Sequence, residues 1–426
     1  MVPRRPRLGV DRWASRTAGR WGLALAWLLF LAAACGADVS APVMAGSDIL
    51  VGAAISLSGS LSQEGQLTQQ GYEMWASWVN AQGGVLVGGV RHRVQLVTQD
   101  DQSKPEVAAS LAAGLVKDGG IQFLLGPYGS DTTAAVAAVA EQDRIPLVEG
   151  TGAAQSIFSH GYRYTFGVMS LTDQYFAGVL EMAAKLSPRP RTIALLFADD
   201  RFSQEVADSV RARVPAGGFQ LVLSQQYPAG ATDVTALVAN AAALKPDILI
   251  NSGHLEEAVA IHRAARALAL NARIFAYSVG PSTPEFIADL GPDADYVLAG
   301  AQWTPQVSYP HQMYLSAAEY VAAYRSMFRT LDEPPYQTAQ GTAAGLALQR
   351  ALETAGSLDP LAVRNALASL DLMTFYGRLK FDSRGANVYK PMVVQQIQRS
   401  RHHTVYPPGV ADIPVLYPTP PWSQRS

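Results

Sequence analysis

The chain has 426 residues, 49% of them hydrophobic and 16% charged, with a formal net charge of −2. That length exceeds what one core usually holds, so two domains are expected, and the apolar content excludes a largely disordered chain. No basic stripe is visible, which excludes nucleic acid as a partner.

Arg4, Arg5, Arg7, Arg12, Arg16 and Arg20 precede an apolar run from Trp21 to Ala34. This has the make-up of a signal peptide: a basic start, an apolar stretch too short for a comfortable membrane span, then small residues. The segment Leu31-Ala32-Ala33-Ala34-Cys35 resembles the bacterial lipobox, whose cysteine is acylated, but departs from it at Ala32, where leucine is usual. Residues 1–35 are therefore expected to be a signal peptide with the lipobox cysteine Cys35, and 36–47 a flexible tether. Cys35 is the only cysteine, so the exported chain forms no internal disulfide.

Ile49–Leu57 reads as a first strand, followed by a Ser/Gly turn from Ser58 to Gly65 and a helix over Gln66–Ala81. Trp75 and Trp78 on that helix are read as core. Val94–Thr98 is the second strand, and Pro105 opens a helix that Gly119-Gly120 stops. Phe123–Leu125 and Pro146–Val148 are short apolar runs of the kind buried in a parallel sheet. Each is followed by a glycine-punctuated turn, Gly126-Pro127-Tyr128-Gly129 in one case and Gly150-Thr151-Gly152 in the other. Ser130 and Asp131 stand at the expected N-cap of the helix Thr132–Gln142. Two such turns at the carboxyl ends of adjacent strands make a crevice of backbone N–H groups suited to a small carboxylate or phosphate.

Past an extended crossover at 162–168 the alternation starts afresh. Strands are expected at Thr192–Phe197, Gln220–Tyr227, Asp247–Asn251, Arg273–Tyr277 and Tyr296–Trp303. Helices are expected at Phe202–Arg213, Asp233–Leu244 and Leu255–Leu270, the βαβ rhythm of a second doubly wound sheet. Helices near Tyr314–Thr330, Thr338–Ala355 and Pro360–Ser369 follow. Arg378–Phe381 and Val393–Gln398 read as a hairpin around Asp382–Lys390, before a proline-rich tail. The architecture these periods support is α/β, two similar lobes with a cleft between them.

Several patches carry a family resemblance: VGAAISLSGSLSQEGQ, FLLGPYGSDTTAA, IPLVEGTGAAQSIF with GYRYTFG behind it, TIALLFADDRFSQEVADSV and FYGRLKFDSRGAN. From about Asp48 to about Gln398 the chain resembles a type I periplasmic binding protein of the Leu/Ile/Val-binding branch, which feeds ABC importers. The resemblance implies two Rossmann-like doubly wound lobes joined by three crossover strands, near 164–168, 299–304 and 374–379, closing on a solute like a hinge. The implied N-terminal lobe is 48–166 plus 303–375 and the C-terminal lobe 167–302 plus 376–412, with 413–426 a proline-rich tail.

Carried over by position, the resemblance implies that Ser130 holds a ligand carboxylate, helped by Tyr128 and Gly129. Backbone N–H groups of Gly150, Thr151, Gly152 and Ala153 add to this, and Thr151 offers a hydroxyl. Neutral donors hold an anion without leaving a buried charge when the cleft is empty. Phe202 takes an aromatic position, His254 stands where an aromatic often lines the cleft, and the first loop offers Glu64. The acid that pairs with a ligand ammonium is replaced by Val279. Either Glu64 supplies the counter-charge or the solute has no ammonium.

Other chemistry is weighed and set aside. His254, Glu257 and His262 lack the HExxH pattern of a metal site, Gln155 stands where GxGxxG needs its third glycine, and no nucleophile motif appears. Neither a cofactor nor a metal is expected. The expected role is an extracytoplasmic solute-binding protein, not an enzyme, that captures a small polar ligand, amino-acid-like in the first place and otherwise an amide or carboxylate, and that is monomeric, lipid-anchored through Cys35 and partnered by an ABC permease. A ligand-sensing receptor module of the same fold is the alternative.

Overall fold

The computed structural model describes residues 46–425; the expected signal peptide, Cys35 and nearly all of the tether lie outside the described residues. The first half of the chain runs β1 (Ile49–Ile55), α1 (Ser62–Ala81), β2 (Val85–Val87), β3 (Val90–His92), β4 (Val94–Asp100), α2 (Pro105–Lys117), β5 (Phe123–Leu125), α3 (Ser130–Asp143), β6 (Leu147–Glu149) and β7 (Thr165–Gly167). Five of these strands form a parallel sheet in the order β4-β1-β5-β6-β7, and β2 with β3 makes a small hairpin. Phe123, Leu124 and Leu125 are all buried, as a strand covered on both faces requires.

The chain then builds a second sheet with its own helices. These elements are α4 (Ala177–Ala183), β8 (Thr192–Ala198), α5 (Arg201–Arg213), β9 (Gln220–Tyr227), α6 (Thr235–Ala243), β10 (Ile248–Ser252), α7 (Leu255–Ala267), β11 (Ile274–Tyr277), α8 (Pro284–Leu290) and β12 (Leu298–Ala301). Next come α9 (Ala317–Phe328), α10 (Tyr336–Ala355), α11 (Pro360–Ala368), β13 (Asp371–Thr374), β14 (Gly377–Lys380), β15 (Val393–Gln398) and β16 (Arg401–Tyr406). The second sheet has the order β16-β15-β12-β11-β10-β8-β9, in which β15 alone is reversed, antiparallel to both its neighbours β12 and β16. We call each sheet with the helices that pack on it a lobe.

The chain passes between lobes after β7, after β12 and between β14 and β15. Helix α10 returns to the first lobe: Thr338 Oγ1 donates to the Leu67 carbonyl and Thr342 Oγ1 to that of Gly71, both at 2.9 Å. Trp75 of α1 is fully buried there, its indole N–H donating to Gln349 Oε1 at 3.1 Å, so it is core as expected. Two α/β lobes, each built on a largely parallel sheet, are the architecture observed.

Three local expectations are corrected. Gly377–Lys380 pairs with Asp371–Thr374, not with Val393–Gln398, which lies between β12 and β16. The helix expected from Gln66 begins at Ser62, which moves Glu64 from a loop into the first turn of α1. Ser130 does not cap α3: Gly129 does, and Ser130 is the first helical residue.

Candidate functional site

The carboxyl ends of the parallel strands of both lobes face one another, where ligands of open α/β sheets bind. After β5 the chain turns through Gly129, whose φ of 95° only glycine adopts without strain. This points Ser130 at the gap, and its Oγ accepts the Ala154 N–H at 3.2 Å, tying the two predicted turns together. The hydroxyl proton stays available to a solute.

The second turn has an internal tenant. The Glu149 side chain folds back so that Oε2 accepts the N–H groups of Thr151 at 2.8 Å and Gly152 at 2.7 Å. The Thr151 hydroxyl donates to the Pro127 carbonyl at 2.6 Å, and the Ala153 N–H bonds the Thr151 carbonyl at 3.0 Å. Of the donors that sequence reasoning gives to a ligand in this turn, the N–H groups of Thr151, Gly152 and Ala153 and the Thr151 hydroxyl are therefore committed to the protein. Glu149 is fully buried with Oε1 unpartnered, and burial pushes its carboxyl up to about 8, though the two N–H bonds oppose the shift.

Across the gap the second lobe presents Tyr175, Phe202 from the first turn of α5, His254 at the N-cap of α7, and Val279 after β11. With Tyr128, Gly129, Ser130 and Thr151, and with Tyr336 and Gln340 from α10, they line a narrow cavity of about 10 Å³, roughly the room of one water, so the two lobes stand nearly shut on one another here. The cavity thus gathers Tyr128, Gly129, Ser130, Thr151, Phe202, His254 and Val279 from the expected set; Glu64, Gly150, Gly152 and Ala153 are not among its lining residues.

Residues 48–402 match the periplasmic binding protein family. The chain is a type I periplasmic binding protein. Its relatives include Leu/Ile/Val-binding protein homolog 7 of Brucella abortus, 24% identical over 358 residues that cover 80% of this chain and 87% of that one. Among solved structures, a leucine-binding protein from Thermotoga maritima superposes with a TM-score of 0.74 at 20% identity, covering 84% of this chain and 98% of the other. A solute-binding protein of an ABC transporter from R. palustris, in complex with benzoate, gives 0.70 at 19% identity, covering 84% and 95%. These two likenesses speak to the fold. Members of the family bind solutes outside the cytoplasm and are not enzymes. Among the described residues, no helix of this binding protein is long and apolar enough to cross a membrane.

His254 carries the electrostatics of the cleft. Burial alone would push its imidazole down, but Asp200, Glu64 and Glu257 outweigh burial and leave its pKa raised. Its Nε2 lies 3.9 Å from Asp200 Oδ1, and its Nδ1 lies 4.0 Å from Glu64 Oε1 and 3.5 Å from Tyr128 Oη. Glu64 itself is 1% exposed; burial pushes its carboxyl up, countered by His254 and by N–H bonds. His262 belongs elsewhere: both ring nitrogens are held, by Tyr277 Oη and the Asp293 carbonyl at 2.8 Å each, behind the second sheet.

Sequence reasoning missed Tyr175, Tyr336 and Gln340. Tyr175 follows a single turn of 3₁₀ helix with no periodic signal. Tyr336 and Gln340 sit one turn apart at the start of α10, more than 180 residues from the turns they face, in a run of small residues that reads as ordinary helix. An aromatic directly after Pro334-Pro335, at a helix start, was the one available cue.

Proposed function

We propose that this protein is the substrate-binding component of an ABC importer whose solute is a small carboxylate without an ammonium group. The observation that carries the reading is the composition of the cavity wall: it presents the imidazole of His254 and no carboxylate side chain, and Val279 is 2% exposed where an acid would be needed. An ammonium desolvated against Val279, with no acid facing it, would cost several kcal/mol.

The solute carboxylate takes the Ser130 hydroxyl and the imidazole of His254, and its body lies among Tyr128, Tyr175, Phe202 and Tyr336. Such walls favour a planar ring, since offset and edge-on aromatic contacts add to burial. Gln340 Oε1 is a buried acceptor without a partner, so a ring hydroxyl on the solute has a place to donate. The R. palustris protein of the same fold, solved with benzoate, supports this solute class. The solute bridges both lobes and shifts an open–closed equilibrium; no bond is made or broken. Export with acylation at Cys35, in a monomer that docks on its permease, completes the reading.

Titration calorimetry on the full chain, stripped of carried-over solute by unfolding and refolding, tests it with benzoate, 4-hydroxybenzoate and leucine. The aromatic carboxylates are expected to bind and leucine not to. Tight leucine binding would refute the reading and would mean that Glu64 or Asp200 reaches the ammonium.

A further inference from the structure

Three carboxylates near the cleft reach from one lobe to a helix start in the other. Glu64 of α1, in the first lobe, accepts the Leu255 N–H at the start of α7 at 3.1 Å. Asp131 of α3, also in the first lobe, accepts the Arg201 N–H at the start of α5 at 3.2 Å and pairs with the Arg201 guanidinium at 3.0 Å. Glu205 of α5 runs the other way: its Oε2 accepts the Gln155 N–H at 2.6 Å and its Oε1 the Ser156 N–H at 3.2 Å, in the 3₁₀ turn after β6. The first N–H groups of a helix have no partner within it and form its positive end, so each acid meets a donor that the other lobe leaves free.

None of the three acids lines the solute cavity, and each bond forms only when the lobes are together. We infer that Glu64, Asp131 and Glu205 form an interlobe latch, positioning residues that set solute affinity and release rate through closure without touching the solute. Glu64 dominates because it is buried, where a charge-assisted hydrogen bond is screened least; Asp131 and Glu205 are half-exposed and weaker. The position that an ammonium-pairing acid vacates at Val279 is thus not made good by Glu64 at the solute: Glu64 is turned to α7 instead.

The inference rests on the solute-binding reading for its purpose, yet its test needs no solute. Hydrogen exchange is followed on the solute-free full chain as wild type, Glu64→Gln and Glu205→Gln. If the bonds act as one latch, Glu64→Gln speeds exchange at Gln155 and Ser156, which it does not touch, and Glu205→Gln speeds exchange at Leu255. About tenfold is expected for losing a charge-assisted bond of this kind. Unchanged thermal unfolding would show that the lobes themselves stay intact. Should Glu64→Gln fold poorly, the half-exposed Glu205→Gln and Asp131→Asn carry the test, both read at Leu255. Exchange that changes only at each variant's own contact overturns the latch. A failure of benzoate to bind would leave this result untouched and would bear on the solute class alone.

Discussion

Lys390 lies between β14 and β15, where the chain crosses between lobes, and is 4% exposed. Its Nζ donates to the Gln302 carbonyl and sits 4.2 Å from the centre of the Tyr376 ring. Among the described residues no carboxylate pairs with it, and burial pushes its amine from 10.5 down to about 7. The unfolded chain therefore keeps this proton up to about pH 10.5, whereas the folded chain gives it up near pH 7. Between those limits the unfolded state binds more protons, so stability rises with pH. At ~1.4 kcal/mol per pH unit, and allowing for half-protonation at pH 7, the rise from pH 7 to 9 comes to about 2 kcal/mol. Lys390→Met keeps the apolar stem and removes the titration. Urea unfolding of wild type and variant at both pH values isolates the effect, because packing changes cancel in the double difference. The wild type should gain about 2 kcal/mol more than the variant over that interval. Equal pH dependence in the two proteins would show that the amine finds a charge partner or water.

Two further outcomes are expected. Glu149 has the opposite sign: its folded-state pKa of about 8 stands above the 4.5 of the free group, so the stability its protonated form supplies is present below pH 4.5 and lost as pH rises through 8. Glu149→Gln retains an acceptor for the Thr151 and Gly152 N–H groups and should remove this contribution, seen as a stability that falls less, or rises more, than that of wild type between pH 5 and 8; equal pH dependence in the two proteins would refute the assignment. Ser130→Ala removes a hydroxyl donor from the cavity and the acceptor of the Ala154 N–H. It should weaken solute binding by about 1–3 kcal/mol in calorimetry, and unchanged affinity would remove Ser130 from the site.

The fold was legible because its signals are local. Ile193–Phe197 and Ile248–Ile250 are apolar and buried on both faces, as central parallel strands are, and Gly253 marks the turn after the second. Contacts decided by distant chain were not legible. Gly65 suggested a turn, but it lies inside α1, where a Cβ would collide with the Ser56 carbonyl; the glycine serves close packing, and the helix runs through it. That one misreading placed Glu64 in a loop. The β13–β14 pairing turns on Phe375-Tyr376, which carries none of the Asn-Gly or Asp-Gly chemistry of a tight hairpin. The two glycine turns were found correctly, yet the Thr151 and Gly152 N–H groups of the second serve Glu149, because a glutamate after an apolar strand gives no hint that its side chain folds back.

Taken with the latch, these findings divide the work of closure between protein and solute. In a site with an acid facing the cleft, the ligand ammonium bridges the lobes, so recognition and closure are one interaction. Here the lobe-bridging charges are the protein's own: Glu64 on α7, Asp131 on α5 and Glu205 on the 3₁₀ turn. A ligand can shift a conformational equilibrium only by its differential affinity for the two states. If the latch supplies part of closure, the proposed solute needs little beyond one anion for Ser130 and His254 and an apolar body for the tyrosines and Phe202. Selection then falls on charge and flatness rather than on side-chain branching. The protein should accept a range of small aromatic carboxylates while rejecting cations and zwitterions, whose ammonium would lie against Val279 with no carboxylate turned toward it.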